Sequence, residues 1–116
     1  MGNERVFAMK LSKIYPLLVQ KAERKNRTKG EVDQLVFWLT GYDAEGLARQ
    51  LERDVDYGTF FREAPRMNPE AARIKGTVCG VKVESIGDPL MQQVRWLDKL
   101  VDELAKGKTI EKILHR

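Results

Sequence analysis

The chain has 116 residues, 42% hydrophobic and 33% charged, with a formal net charge of +4 at pH 7. That length supports one core and a single domain over residues 1–116, and that balance excludes a disordered chain. No apolar run approaches the ~20 residues needed to cross a bilayer, so no membrane association is expected.

Residues 5–9, Arg-Val-Phe-Ala-Met, are strand-like. Over residues 13–26, Ile14, Leu17, Leu18 and Ala22 lay one apolar stripe along a helix that Pro16 places near its first turn. Thr28 and Glu31 form a capping box for the next helix, whose buried face is Val32, Leu35, Val36 and Leu39 and whose stop is Gly41. Asp43 caps a third helix, with Ala44, Leu47, Ala48 and Leu51 expected inside. A short fourth helix runs from Asp56 through Tyr57, Phe60 and Phe61 and ends at Ala64-Pro65. Asn68-Pro69 opens another turn of helix that ends near Gly76.

The period changes at residues 77–84, where β-branched residues concentrate and Val81 and Val83 alternate with Lys82 and Glu84. This predicts a strand, with Gly80 as a bulge or a close backbone approach. The longest helix follows: Asp88 caps it, Pro89 starts it, and Leu90, Val94, Leu97, Val101 and Leu104 repeat until Gly107. A last short helix spans Ile110 to Leu114. The fold class is mainly α. We expect a compact orthogonal bundle of about five helices, with at most a small antiparallel β element formed by residues 5–9 and 77–84.

Several stretches, Tyr15-Pro16, Trp38-Leu39-Thr40-Gly41-Tyr42, Val78-Cys79-Gly80-Val81, Asp88-Pro89-Leu90-Met91 and the run from Leu97 to Lys108, resemble a set of small bacterial proteins. That set is the domain of unknown function 2200 family. The resemblance covers nearly the whole chain. It implies a compact, mostly helical domain and supplies no activity, substrate or catalytic residue.

The chemistry available is narrow. His115 and Cys79 are the one histidine and the one cysteine, and Ser12 and Ser85 lie outside any nucleophile-elbow pattern. No catalytic residue, metal site or cofactor is therefore assigned, and zinc is not expected. Cys79, within Val-Cys-Gly-Val, reads as a small core residue rather than a nucleophile. A lone cysteine suits a reducing compartment, and the first residues lack a secretory leader pattern, so a cytoplasmic location is expected.

Charge is unevenly spread, with net +6 in residues 1–30, −5 in 31–63 and +3 in 64–116. Lys21, Arg24, Lys25, Arg27 and Lys29 form one basic group, and Lys99, Lys106, Lys108, Lys112 and Arg116 form another. If folding brings them together they offer a phosphate-binding face. The plainer reading is a solvated helix end whose cations complement the helix dipole. Asp98, Asp102 and Glu103 read as surface ion-pair partners at four-residue spacing rather than cation ligands. Phe37 and Trp38 point about 100° apart on one helix, so one of them, with Tyr42, is a candidate groove for a partner. The favoured function is a non-enzymatic binding or protein-interaction module, whose partner is a protein or a second copy. The alternative is a weak, sequence-tolerant nucleic-acid binder using the basic face, and the third reading is an enzyme with a carboxylate-lined pocket.

Overall fold

The longest helix buries one broad face, and the other elements assemble on it. The computed structural model describes residues 2–115. Helix α6 (Pro89–Ala105) is started by Asp88, whose carboxylate accepts the N–H groups of Leu90 and Met91. Met91, Val94, Leu97, Leu100, Val101 and Leu104 are buried along it, a wider face than the five-residue stripe of the sequence. Helices α2 (Leu11–Glu23) and α3 (Lys29–Thr40) pack across that face, as do α5 (Tyr57–Arg62) and α7 (Ile110–Leu114).

Local signals start and stop these helices. Thr28 and Glu31 form both halves of the capping box on α3, and Asp43, Asp56 and Thr109 cap α4 (Ala44–Arg53), α5 and α7. Gly41 closes α3 at φ +80°, and a Cβ there would lie 2.8 Å from the Arg66 backbone nitrogen. Only glycine admits that approach. It lets the chain return along the end of α3, where Arg66 N–H donates to the Thr40 carbonyl at 3.0 Å and Asn68 N–H to that of Leu39 at 2.9 Å. The Asn68 side chain adds a bond to the Trp38 carbonyl at 3.1 Å, so carbonyls that a helix end leaves orphaned are satisfied.

Among the described residues there are seven α-helices and one small two-stranded sheet, a mainly α fold as expected from about five helices. One helix takes the place of the predicted strand at residues 5–9, which belong largely to α1 (Gly2–Ala8). Val6 and Phe7 are half-buried, and α1 packs on α5 at Gly58, where a Cβ would meet that of Phe7 at 3.0 Å. No strand partner is left for this segment, because residues 77–84 pair with themselves. Cys79 and Gly80 take φ of +52° and +77°, folding β1 (Thr77–Val78) antiparallel onto β2 (Val81–Lys82) through a two-residue turn. Val83–Ser85 then form a single 3₁₀ turn, and Pro69–Arg73 another, after the Asn68 cap.

Two burial expectations also change. Helix α2 begins at Leu11, ahead of Pro16, because the Leu11 N–H donates to the Val55 carbonyl at 2.9 Å and anchors its start. On α4 the inward face is Leu47 and Gln50 with Leu51 half-buried, while Ala44 and Ala48 are exposed. The Leu97 side chain is 1% exposed at the centre of α6. Replacing it with alanine should cost about 2 to 5 kcal/mol, read as a lowered urea midpoint with an unchanged slope. A midpoint equal to that of the parent would show the face is not packed.

Candidate functional site

A short backbone pairing builds the most distinctive surface feature. The Leu11–Val55 bond and a second, from Tyr57 N–H to the Met9 carbonyl at 2.8 Å, hold the turn before α2 against the turn before α5. Met9 and Tyr57 are thereby brought to one cleft of about 280 Å³. Helix α2 contributes Ile14, Leu17, Leu18 and Lys21, spaced three, one and three residues apart so that all face one way. Helix α6 contributes Val94, Arg95 and Asp98, and Cys79 comes from the hairpin turn.

The cleft is largely apolar and open at its mouth. Leu17, expected in the α2 stripe, is 56% exposed, and Met9 is 40% exposed. Cys79, expected in the core, is also exposed: as the first corner of the hairpin turn it projects away from Val78, which is buried. Its left-handed backbone is unusual for a residue with a side chain and carries a strain of about 1 kcal/mol or more.

Polar groups gather at one side. Tyr57 is fully buried, yet its hydroxyl has no hydrogen-bond partner among the described residues. Burial pushes that hydroxyl's pKa well above the usual 10, the Asp98 charge raises it further, and Arg95 partly opposes both. Arg95 donates to Asp98 at 3.1 Å. Burial nevertheless raises the Asp98 carboxyl, outweighing the Arg95 and Lys21 cations. No local pattern points to this set: Tyr57 reads as one more core aromatic, and Asp98 lies on the face expected to be solvated.

Members of the two basic groups meet at the C-terminal end of α6, whereas Lys99 donates to the Thr77 carbonyl at 3.2 Å and Arg116 lies outside the described residues. Lys21 and Lys106 share Asp102, at 3.3 and 3.1 Å. Arg27 donates to the carbonyls of Leu104 and Lys108 at 3.0 and 2.8 Å and to Glu31 at 2.8 Å. Lys29 pairs with Asp33 at 2.9 Å, and Asp33 also accepts the Tyr15 hydroxyl, whose pKa burial pushes up to about 12. Arg24 and Lys25 are exposed, and among the described residues neither is in an ion pair. The carboxylates of α6 are thus not the exposed pairs expected: the side chains of Asp98, Asp102 and Glu103 are 20%, 17% and 5% exposed, and Glu103 pairs with Lys108 rather than Lys99. Burial would raise Asp102, but hydrogen bonds from Lys106 and Lys21 outweigh it and hold the carboxyl low. No group of three or more His, Cys, Asp or Glu side chains among the described residues is placed to hold a metal ion.

Phe37, Trp38 and Tyr42 do not share a groove. Phe37 lines a small cavity beside Tyr15 and Leu47, and Trp38 is half-buried. Tyr42 is buried, stacks on Phe60 at 4.7 Å and donates its hydroxyl to the Phe60 carbonyl at 2.7 Å.

Asp98 gives a test of the cleft's electrostatics. Its folded pKa lies above the unfolded 3.8, so its contribution to stability is full below that value and is lost as pH rises through the folded value. Stability of the Asp98→Asn protein relative to the parent should therefore improve as pH rises from about 4 toward neutrality. A difference that stays flat, or moves the other way, would show a carboxylate stabilised by Arg95 instead.

The chain resembles proteins for which no activity is described. The crystal structure of uncharacterized protein SP1917 matches with a TM-score of 0.92 and 48% sequence identity, covering 97% of this chain and 92% of that one. No curated protein matches. Residues 5–115 match the model of the family described as an uncharacterized protein conserved in bacteria, DUF2200. Over that span, nearly its full length, the chain belongs to the DUF2200 family.

Proposed function

We propose that this protein is a non-enzymatic binding module, and that its site is the cleft between α2, α5 and α6. The observation that carries the reading is the Tyr57 hydroxyl, buried and unpartnered beside an open apolar cavity. An unpaired buried hydroxyl costs about 1 to 3 kcal/mol, a cost that an incoming acceptor offsets. The cavity, at about 280 Å³, is at the small end for a free ligand and suits one or two side chains of a protein partner. Such a side chain would seat against Met9 and Leu17 and offer its own backbone carbonyl to the polar side. The Arg95–Asp98 pair and the protonated Tyr57 suit recognition better than proton transfer.

Titration with N-acetyl-leucinamide and N-acetyl-phenylalaninamide, followed by amide NMR, tests this. Saturable shifts at Leu17, Cys79, Val94 and Arg95 are expected, and Leu17→Asp should abolish them without lowering thermal stability, since Leu17 is exposed. Shifts that never saturate, or that cluster elsewhere, would sink the reading.

A weaker second reading rests on the convergence of the basic groups. Lys21 meets Lys106 across Asp102, and Arg27 reaches the Lys108 carbonyl, which with the exposed Arg24 and Lys25 suits sequence-tolerant contact with nucleic acid. Against it, Asp102, Glu31, Asp33 and Glu103 neutralise most of that charge. We expect no binding of single- or double-stranded oligonucleotides at about 50 mM salt, in the range where phosphate contacts show strongly. Salt-dependent binding lost in Arg24→Ala/Lys25→Ala would favour nucleic acid over the cleft. We place the protein in the cytoplasm on its lone, exposed cysteine. Among the described residues no helix is long and apolar enough to cross a membrane.

A further inference from the structure

A second cavity, of about 410 Å³, lies where α3 hands over to α4, and it shares no lining residue with the cleft. Its walls include Tyr42, Asp43, Gly46, Arg49, Gln50 and Pro65. Gly46, Arg49 and Gln50 follow at three and four residues along α4, so one face of the helix is turned to it. Gly46 keeps that wall open, since a Cβ would stand a tight 3.2 Å from both the Tyr42 ring and the Asp43 carboxylate.

Gln50 is the informative residue. It is 7% exposed, and its amide nitrogen donates to Glu63 at 3.1 Å, where Arg53 also donates at 3.0 Å. That contact fixes the amide's orientation, since turning it over would set its oxygen against the Glu63 carboxylate. The amide oxygen therefore faces away from Glu63, and there it has no partner. Gln50 itself lines the cavity, and a buried acceptor without a partner calls for a donor. Arg49 supplies the opposite need: its guanidinium is exposed and, among the described residues, in no ion pair, so its five donors are open to an acceptor. Asp43 spends one carboxylate oxygen on the Gly46 N–H at 2.7 Å and leaves negative charge beside the cavity.

A bare anion would satisfy Arg49 and leave Gln50 orphaned; a bare amine would do the reverse. A ligand that answers both carries an ammonium and a carboxylate. We propose that this cavity binds a free α-amino acid as its zwitterion, the ammonium on the Gln50 oxygen and Asp43, the carboxylate on Arg49, the side chain along Tyr42 and Pro65. At about 30 Å³ for each water-sized group the space holds about a dozen such groups, enough for an amino acid with some water.

The test is calorimetric and NMR titration of the full chain with L-alanine, L-glutamine and L-glutamate, with acetate and methylammonium as half-ligands. Saturable shifts at Gly41 and Gly46 are expected with at least one amino acid, and neither half-ligand should reproduce them. Arg49→Ala and Gln50→Met should each weaken that binding about tenfold or more, or about one decade in Kd. Without ligand, the Gln50→Met protein should keep a cooperative thermal transition, so that lost binding is read on a folded chain; its midpoint reflects both the deleted acceptor and the lost bond to Glu63. Acetate binding as well as the amino acids would make this a simple anion site and overturn the proposal. No saturable response to any of the three amino acids would overturn it equally.

Discussion

Burial of the wide face of α6 is the constraint on which the other elements depend. Six large apolar side chains along it leave water, contributing on the order of ten kcal/mol at typical values per side chain. Several of its neighbours are short: α5, α7 and the hairpin are each less than two turns or a few residues long, well below the length at which an isolated helix or hairpin holds itself together. They are ordered by what they cover. The shoulders of α6 then inherit a role, because a residue just off the buried face stands at the seam between two covering elements. Val94, Arg95 and Asp98 reach the cleft from such positions.

The C-terminal end of α6 shows how the same helix recruits charge. A helix end leaves four carbonyls without intrahelical partners, and the Arg27 guanidinium, from the loop after α2, takes that of Leu104 together with the Lys108 carbonyl beyond it. Glu31 holds the guanidinium from its other side and also completes the Thr28 capping box. One carboxylate thus serves the start of α3 and the end of α6. The most basic stretch of the sequence is spent largely on this joint and on Asp102, and this explains why a cluster that reads as a phosphate surface in one dimension is substantially neutralised in three.

Features set by near neighbours were legible in the sequence. The caps at Thr28, Asp43, Asp56 and Asp88, the Asn68-Pro69 turn and the Gly41 stop depend on residues within four positions, and each forms where the pattern places it. Features set by distant partners were not. Residues 5–9 have β-branched and aromatic character, but the segment lies largely in a helix packed on α5, where the bare backbone at Gly58, some fifty residues on, lets Phe7 approach. Leu17 and Cys79 read as core because they are apolar, whereas the boundary of the core passes between them and their neighbours Leu18 and Val78. The cleft draws on residues from Val6 to Asp98, and no window of sequence contains them together.

The two cavities share a physical property. In a well-packed interior nearly every buried polar atom finds a partner, and a fold selected only for stability would satisfy or delete the few that do not. Three such atoms occur among the described residues: the Tyr57 hydroxyl and the side-chain oxygens of Gln50 and Gln93. Two of these residues line a cavity. Phenylalanine in place of Tyr57 would keep the ring packing on Phe60 and Phe61 while removing the orphaned hydroxyl. The hydroxyl therefore carries a cost that packing alone does not repay. The same reasoning holds for Gln50, whose tie to Glu63 uses only the nitrogen of its amide. Stability foregone at two residues beside two separate cavities is the pattern expected where binding sites have been built into a small helical core.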